Sequence, residues 1–422
     1  MEQLAERSTV YSVLGVTIVK NVLFLLDYYL PNASANGVCV ANIIDELKKT
    51  AETITLLCIS DKTETIVSDN VTIYKIKEPP QRRKLLSSIR FYIKWLLPSR
   101  LPITTRKSWV DLFVENARKI ISNNKIDMLV SVHLPIETLV ASTILNKEFT
   151  NLCMVGYMLD SMSGGHIPRF LPQEYTRWRK RLWEKRIFES FDKLVLMETS
   201  YKHNKNSPIT NAWASKAVYL NVPLLLPYRT SVYRKTDDEQ RIRIAFCGLL
   251  DYPYRNVYYI IDVIKRMKTP VELLLVGKSN IADDLSKISG IDNRIVYKGL
   301  VQHSEVVKII EKSDVLLNLG VLTPSAISGK IFEYMSYKKP IITTYSIDDE
   351  ACIPYIQKYP LGLALDEREK NISMQADLLD KFIEKTLGKN IDNFSIEKEF
   401  YTSTPKSFCE LLGSIGGGDT KF

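Results

Sequence analysis

The stretch SAISGKIFEYMSYKKPIITT, residues 325–344, joins a helical segment directly to an apolar strand. Within it Lys330 and Glu333 are three residues apart, which places both side chains on one helical face near the amino end. Free backbone N–H groups and the helix dipole attract phosphate to this end of a helix. The stretch therefore predicts an α/β fold and a site for an anionic ligand where the helix begins.

The sequence on both sides of this stretch repeats the alternation of strand and helix. In the second half, a helix is predicted at 257–267 and apolar runs predict strands at 241–248, 271–277, 295–299, 315–320 and 340–344. In the first half, similar runs predict strands at 21–27, 53–60, 71–77, 127–133, 152–159 and 193–198. This alternation predicts parallel sheets with helices on both faces.

Length and local composition divide the chain. At 422 residues it is too long for a single ordinary core. Residues 221–241 mix prolines and charges without periodicity, which predicts a linker. We therefore predict doubly wound, Rossmann-like domains at 1–220 and 242–400, a C-terminal helix at 401–415 that crosses back to the first domain, and a disordered tail at 416–422. Ligands of such folds bind outside the carboxyl ends of the strands, here in a cleft between the domains.

Charge is unevenly distributed along the chain. The net charge is +9, and residues 1–220 carry all of this excess, with 30 Lys+Arg against 21 Asp+Glu. Two clusters, at 81–100 and 177–186, interleave basic residues with aromatic residues and leucine, a pattern typical of helices that lie on an anionic membrane. A solvated basic face over ordinary core aromatics is the alternative. Nucleic-acid binding is not expected, because no recognised motif accompanies the charge.

Other features limit the compartment and the cofactor chemistry. No apolar run approaches the roughly 18 to 20 residues that span a bilayer, and the run at 10–19 lacks a signal-peptide cleavage site. The six cysteines are scattered, so buried thiols are expected rather than disulfides or a zinc site. We therefore expect an intracellular protein that needs neither a metal nor a bound cofactor.

The helix at Lys330 does not fit the common nucleotide motifs. Ile331 follows Gly329 and Lys330 where Walker A has Ser or Thr, and no G-x-G-x-x-G follows a strand. Glycines stand instead at strand ends, where backbone can approach a ligand, although such junctions often carry glycine anyway: Gly248, Gly277, Gly299 and Gly320. We predict a nucleoside diphosphate held by Lys330, the helix terminus and the adjoining Ser328 and Gly329, with Glu333 accepting hydrogen bonds from the ribose hydroxyls.

These motifs resemble a known family. VELLLVG, IVYKGLV, VLLNLG and SGKIFEYMSYKKPIITT are similar to the donor-nucleotide half of the retaining glycosyltransferases of family four, which have the glycosyltransferase B fold. NVLFLLDYYLPNASANGV resembles the first strand and glycine loop of that family, so Gly37 is assigned to the donor site. The likeness runs from about Lys20 to the end of the chain. It is greatest to the branch that makes bacterial capsular polysaccharide, exopolysaccharide and O-antigen.

The resemblance implies roles for individual residues. Glu333 would bind the donor ribose, while Lys330 and Arg255 would contact the diphosphate. One departure concerns the family signature of two glutamates separated by seven residues, because this chain has Ser325 where the first glutamate would be. That carboxylate commonly lies near the transferred sugar, so its replacement leaves the donor sugar, and even activity, open.

Two residues of the first half stand at strand ends, where they would face the acceptor. His133 ends one strand and Asp160 follows the next. Both are candidates for catalysis or acceptor contact, with a purely structural role as the alternative. His166 is a further candidate, whereas His203 and His303 are expected at the surface.

The expected function is transfer, with retention of configuration, of a hexosyl or N-acetylhexosaminyl group from a nucleotide-diphosphate sugar to a lipid-linked saccharide in cell-surface polysaccharide synthesis. The enzyme would be cytoplasmic and peripheral at the inner face of the plasma membrane, with its basic first domain on anionic lipid. The absence of Asp-x-Asp favours a metal-independent reaction. Two alternatives stay open: a nucleotide-sugar 2-epimerase of the same fold, and a catalytically silent nucleotide-sugar-binding scaffold subunit, which Ser325 motivates.

Overall fold

The chain divides into two compact units, residues 1–223 with 405–422 and residues 224–404. The computed structural model describes residues 20–31, 33–80, 93, 95, 97, 99–164, 167, 171–227, 241–324, 326–389 and 391–416. Several predicted features lie outside these residues: Ser325, His166, most of the first basic cluster, residues 228–240 of the linker and residues 417–422 of the tail.

The described part of the first unit contains an eight-stranded sheet with the order β3-β4-β2-β1-β5-β6-β7-β8. Its strands are β1 (Asn21–Tyr28), β2 (Thr53–Ser60), β3 (Glu64–Ser68), β4 (Val71–Lys77), β5 (Met128–His133), β6 (Cys153–Met158), β7 (Lys193–Met197) and β8 (Ala217–Leu220). Its helices are α1 (Ala35–Leu47), α2 (Lys107–Asn123), α3 (Ile136–Glu148), α4 (Gln173–Phe188), α5 (Tyr201–Lys205) and, from the C-terminus, α13 (Pro405–Gly416).

The described part of the second unit contains a six-stranded parallel sheet with the order β11-β10-β9-β12-β13-β14. Its strands are β9 (Ile242–Cys247), β10 (Val271–Val276), β11 (Ile295–Gly299), β12 (Val315–Leu319), β13 (Ile341–Tyr345) and β14 (Gly362–Asp366). Its helices are α6 (Val257–Ile264), α7 (Ala282–Ile291), α8 (His303–Lys312), α9 (Lys330–Met335), α10 (Ile353–Lys358), α11 (Ile372–Thr386) and α12 (Asn393–Glu399).

The predicted strands are confirmed within one or two residues, but the sequence did not predict β3, β8 and β14. All three are short edge strands, and β3 is exposed along most of its length. The predicted strands of the first sheet pair in parallel, whereas the unpredicted β3 runs antiparallel to β4. A tight turn with Asp69 at φ 50° connects the two strands, which suits an aspartate, a residue that tolerates the left-handed region.

Burial explains why the central strands could be predicted from the sequence. Residues 22–26 of β1 are all fully buried, as are Leu273 and Leu275 of β10. Strands covered by helices on both faces need continuous apolar runs, whereas an edge strand does not. Each unit thus has its own apolar core around its sheet.

The C-terminal helix α13 packs into the first unit. Phe408 and Leu412 are 2% and 0% exposed, and the Phe408 ring lies 4.5 Å from the Tyr157 ring of β6. On the same helix, the Cys409 sulfur lies 3.6 Å from the Ile43 carbonyl oxygen of α1. The helix therefore completes the core of a unit whose other elements precede it by some 180 residues.

Both sheets contain a point where the chain order reverses. In the first unit this point lies between β1 and β5, and in the second between β9 and β12. In open parallel sheets the crevice outside the carboxyl ends of such a strand pair is the usual ligand site. The loops after these four strands are therefore the expected ligand-binding segments.

The second basic cluster is only partly a surface feature. On α4, Arg179 is 4% and Lys180 is 9% exposed. The Arg179 guanidinium donates hydrogen bonds to the carbonyl oxygens of Trp95 and Leu97 and to Ser99 Oγ, the last at 3.1 Å. The interpretation of 177–186 as a membrane-facing cluster is therefore wrong for these two side chains, because both are buried. Arg179 instead anchors the neighbouring segment that contains Trp95, Leu97 and Ser99.

No helix among the described residues is long and apolar enough to cross a membrane. Within the same part of the chain, no group of three or more His, Cys, Asp or Glu side chains is arranged to hold a metal ion. None of the six cysteines is in a disulfide, and five of them are buried, as the sequence predicted.

Candidate functional site

Glycines line the carboxyl edge of the second sheet, and close backbone packing explains two of them. A Cβ on Gly277, whose φ is 140°, would lie 1.8 Å from the Gly248 carbonyl oxygen. A Cβ on Gly320 would lie 2.4 Å from the Thr344 carbonyl oxygen. Gly299 has a φ of 67° and no such close contact, so its backbone conformation alone favours glycine. The predicted approach of a ligand is therefore not needed to explain Gly277, Gly299 and Gly320.

Lys330 and Glu333 come together at the start of α9. Lys330 Nζ lies 2.7 Å from Glu333 Oε2, and the two side chains are 33% and 16% exposed. Both lie close enough to Cys247, the last residue of β9, to affect its pKa, which burial raises to about 12. The Cys247 N–H donates to Tyr334 Oη at 3.3 Å, which fixes α9 beside the end of β9. The ion pair thus lies at the reversal point of the second sheet.

Arg255 lies at the same edge, in the loop after β9. Its N–H donates to the Asp251 carbonyl oxygen at 2.8 Å, and one guanidinium nitrogen lies 3.6 Å from where a Cβ of Gly248 would be. Burial lowers the pKa of Arg255, and nearby anionic groups, among them Glu350, oppose this shift. A cation with restricted access to water is well suited to bind a multiply charged ligand.

Glu350 is a part of this site that the sequence did not single out. It is 1% exposed, and its Oε2 accepts a hydrogen bond from the Cys352 N–H at 2.7 Å. Burial raises the pKa of Glu350, while backbone N–H groups lower it. The available signal was the run Asp348, Asp349, Glu350 shortly after β13, at the carboxyl edge where ligands bind.

Ser328 and Gly329 lead into α9 and are held by neighbouring backbone. Ser328 is 6% exposed, and its N–H points to the buried Cys352 sulfur, where it lowers the thiol pKa against the larger effect of burial. The Gly329 carbonyl oxygen accepts hydrogen bonds from the N–H groups of Phe332 and Glu333 at 3.2 and 3.3 Å. Both residues therefore adjoin the Lys330–Glu333 pair.

Gly37 of the first unit allows α1 to approach the end of β1. A Cβ on Gly37 would lie 2.0 Å from the Tyr28 carbonyl oxygen. The Gly37 N–H donates to Ser34 Oγ at 3.0 Å, and Ser34 Oγ donates to Asp27 Oδ1 at 2.7 Å. This N-cap arrangement fixes the loop after β1 at the reversal point of the first sheet.

His133 and Asp160 are neighbours at the carboxyl edge of the first sheet. His133 is 4% exposed, and burial lowers its pKa to about 4, while a hydrogen bond to the Asp160 backbone opposes this shift. The Asp160 side chain is exposed. Nearby protein atoms nevertheless displace part of the water around its carboxylate, and this desolvation raises its pKa. The structure thus brings the two residues together, with the histidine neutral and covered and the aspartate accessible.

Comparison with known proteins gives the class of the fold. Residues 241–355 match the family model described as Glycosyl transferases group 1. Sucrose-phosphate synthase from Thermosynechococcus elongatus is similar over 94% of this chain and 98% of that chain, with a TM-score of 0.64 and 13% identity. No match was found among curated proteins.

Two further structures agree with this comparison. The lipopolysaccharide outer core galactosyltransferase WaaB, in its apo form, is similar over 94% of this chain and 100% of that chain, with a TM-score of 0.57 and 12% identity. HepE of Anabaena in complex with UDP-glucose is similar over 94% of this chain and 97% of that chain, with a TM-score of 0.53 and 12% identity.

The chain therefore has the glycosyltransferase B fold, with two Rossmann-like units. Its matched segment contains Arg255, Lys330, Glu333 and Glu350, so the part of the candidate site in the second unit lies within the residues that match glycosyl transferases group 1.

Proposed function

We propose that the protein is a retaining, metal-independent glycosyltransferase of family four. It would transfer a hexosyl or N-acetylhexosaminyl group from a nucleotide-diphosphate sugar to a lipid-linked saccharide, in the synthesis of cell-surface polysaccharide. The observation that carries this proposal is the group formed by Arg255, Lys330 and Glu333 at the reversal point of the second sheet. Retention and the branch of the family rest on the sequence resemblance.

In this proposal, Glu333 accepts hydrogen bonds from the ribose hydroxyls. Lys330 and Arg255 contact the diphosphate, and their positive charges stabilise it as it departs from the sugar. Two fixed cations in a site with restricted water access can supply this stabilisation without a metal ion. Because Lys330 is already paired with Glu333 at 2.7 Å, ligand binding would exchange part of this ion pair for contacts with phosphate and ribose.

The first unit would supply the acceptor side. Asp160 is accessible at the carboxyl edge of the first sheet, so its carboxylate can contact an acceptor hydroxyl. His133 is buried and has a pKa of about 4, so at neutral pH it would act as an uncharged hydrogen-bonding group. Of the two, Asp160 is therefore the better candidate for direct acceptor contact.

Incubation with labelled nucleotide sugars, with and without a polyprenyl-diphosphate-linked saccharide, tests the function. We expect a labelled lipid-linked product that depends on both substrates and is lost in a variant with Lys330→Ala and Arg255→Ala. Asp377→Ala, which removes an exposed ion pair with Lys268 in the same unit, is the matched control. Epimerised free donor in place of transfer would identify an epimerase. Binding without any product would support the scaffold subunit that Ser325 suggests.

A peripheral position at the inner face of the plasma membrane is part of the proposal. On α4, Arg177 and Lys185 are 46% and 42% exposed, Trp178 is 51% exposed, and Arg186 is also exposed. Leu97, on the segment anchored by α4, is 56% exposed. Exposed basic and aromatic side chains on one helix fit an anionic lipid layer.

Neutralising the exposed basic residues of α4 should weaken vesicle binding. We expect Arg177→Gln, Lys185→Gln and Arg186→Gln each to reduce binding to anionic vesicles by about fivefold, from about 1 kcal/mol per charge near the surface. Added salt should reduce the remaining binding. The control exchanges three exposed lysines of the second unit, Lys287, Lys385 and Lys398. Equal sedimentation of the parent protein with neutral and anionic vesicles would contradict a charged membrane surface.

A further inference from the structure

A chain of three buried or half-buried polar side chains lies beneath the loop after β6. Ser163 and Glu184 are 1% and 3% exposed. Ser163 Oγ donates to Glu184 Oε2 at 2.9 Å and lies 2.8 Å from His203 Nε2, while the Ser163 N–H donates to Glu184 Oε1 at 3.4 Å. When the serine proton goes to the ionised carboxylate, His203 Nε2 donates to Ser163 Oγ. The expectation that His203 is a surface residue is therefore wrong.

These contacts tie the loop to two helices. Ser163 belongs to the loop, Glu184 to α4 and His203 to α5. Within the loop, the Gly164 N–H donates to Ser161 Oγ at 2.9 Å. The segment 160–164 is thus held both internally and from below.

Glu184 and Asp160 also share a cavity. Both residues line a small cavity between the loop, α4 and the end of β7, together with Ser200 and Asn204. Asp160, the accessible carboxylate at the sheet edge, is therefore the first residue of the segment that Ser163 anchors, and it lies on the same cavity as Glu184.

The charge of Glu184 is sensitive to pH near neutrality. Burial raises its pKa to about 7, while the Ser163 hydrogen bonds and the cations Arg181 and Lys180 of its own helix lower it. The other titratable groups that face it are Asp160 across the cavity, His203 on α5 and Tyr219 on β8. Burial and the nearby Arg181 and Arg177 lower the pKa of His203 to about 4, so His203 stays neutral in this range.

The hydrogen bonds among Glu184, Ser163 and His203 can form in both protonation states of Glu184, but the donors and acceptors are exchanged. The carboxylate accepts from Ser163 Oγ, which in turn accepts from His203. The protonated acid can donate to Ser163 Oγ, which then donates to a deprotonated His203 Nε2. The ionised state alone places a buried negative charge beneath the loop. Because burial raises the Glu184 pKa from 4.5 to about 7, the loop should become less firmly held as the pH rises towards 7 and should change little above it.

We propose that Glu184 is a positioning residue: through Ser163 and His203 it fixes the segment 160–164, and with it Asp160, at the carboxyl edge of the first sheet. The consequence for catalysis rests on the proposed function, in which Asp160 contacts the acceptor. The effect on the loop itself does not depend on that function.

Hydrogen–deuterium exchange of the full-length protein, measured over segment 160–164 between pH 5 and 8.5, tests the proposal without any substrate. In the parent protein we expect protection, corrected for intrinsic exchange, to fall as the pH rises towards 7 and to level off above pH 7. Glu184→Gln keeps the shape and stays neutral, so it should retain protection and lose this pH dependence. Ser163→Ala should reduce protection by about tenfold at every pH, the upper end of the range for one ordinary hydrogen bond.

Kinetics provide the second measurement. In Ser163→Ala, the KM for the acceptor should rise about tenfold, with unchanged nucleotide affinity, because the change concerns only the position of Asp160. In Glu184→Gln, the KM for the acceptor should no longer vary around pH 7. Glu189→Gln, at the exposed end of the same helix, is the matched control and should behave like the parent.

The two hypotheses fail separately. If Glu184→Gln keeps the parent pH profile, or Ser163→Ala leaves the protection of 160–164 unchanged, the positioning role is overturned. If the exchange results are as expected but the parent protein transfers no sugar, the positioning of the loop stands and the proposed function fails.

Discussion

A chain that ends at Ser403 is expected to lose transfer activity completely, because the first unit loses a helix of its core. Phe408, Leu411 and Leu412 of α13 are 2%, 8% and 0% exposed. Burial of each such side chain contributes about 1.5–3 kcal/mol, so the deletion removes roughly 4–9 kcal/mol. This is comparable to the whole stability of a typical domain, about 5–15 kcal/mol. The Tyr157 ring, which packs on Phe408, would also become exposed.

The truncated chain should nevertheless bind nucleotide, because residues 224–404 form a unit with its own core. A chain that ends after Gly416 is the matched control, since it retains all of α13, and it should keep full transfer activity. Thermal unfolding by circular dichroism, calorimetry with UDP and the transfer assay together distinguish the two chains. Full transfer by the chain ending at Ser403 would show that α13 contributes little to the first unit.

Glu333→Ala should weaken the binding of a nucleoside diphosphate by about 10- to 150-fold, or roughly 1.5–3 kcal/mol, the scale of hydrogen bonds to a charged group. The physical reason is the loss of the carboxylate that we propose as acceptor for two ribose hydroxyls. The Lys330–Glu333 distance of 2.7 Å complicates this simple expectation, because removing Glu333 also releases Lys330. An unpaired lysine can bind phosphate more strongly and hide part of the loss.

A double-mutant cycle separates these two effects. Lys330→Ala, Glu333→Ala and the double variant should be compared by calorimetry with UDP and with uridine, which lacks the diphosphate. The effect of Glu333→Ala should appear with both ligands, whereas that of Lys330→Ala should appear only with UDP. Asp377→Ala, which breaks a comparable ion pair with Lys268, should change neither affinity. Unchanged uridine and UDP affinity in a folded Glu333→Ala protein would refute the ribose contact.

Local patterns were sufficient for much of the fold. The strands around Val22 and Leu273 are buried on both faces, and continuous apolar runs identify such strands without any knowledge of their neighbours. Edge strands need not leave this signal, although β11 did. β14 is five residues long and only partly buried, and β8 is shorter still, so their pairing depends on a sheet that other segments have already formed.

The candidate site divides in the same way. Lys330 and Glu333 are close in sequence and on one helical face, so their proximity was predictable, although their mutual ion pair was not. Arg255 and Glu350 are far apart in the chain and meet only because β9 and β13 end at the same sheet edge. Helical spacing carries no information about such contacts.

The sequence by itself determined the repeated strand and helix units, the parallel sheets and the position of the helix at Lys330, because these depend on residues that are near one another in the chain. Only the tertiary structure decided which polar residues are buried and paired. Ser163 lies 21 residues from Glu184 and 40 from His203, yet the three form one hydrogen-bonded chain. The burial of Arg179 beneath a supposed membrane surface has the same origin, since the environment of a polar side chain is set by segments that folding brings from elsewhere.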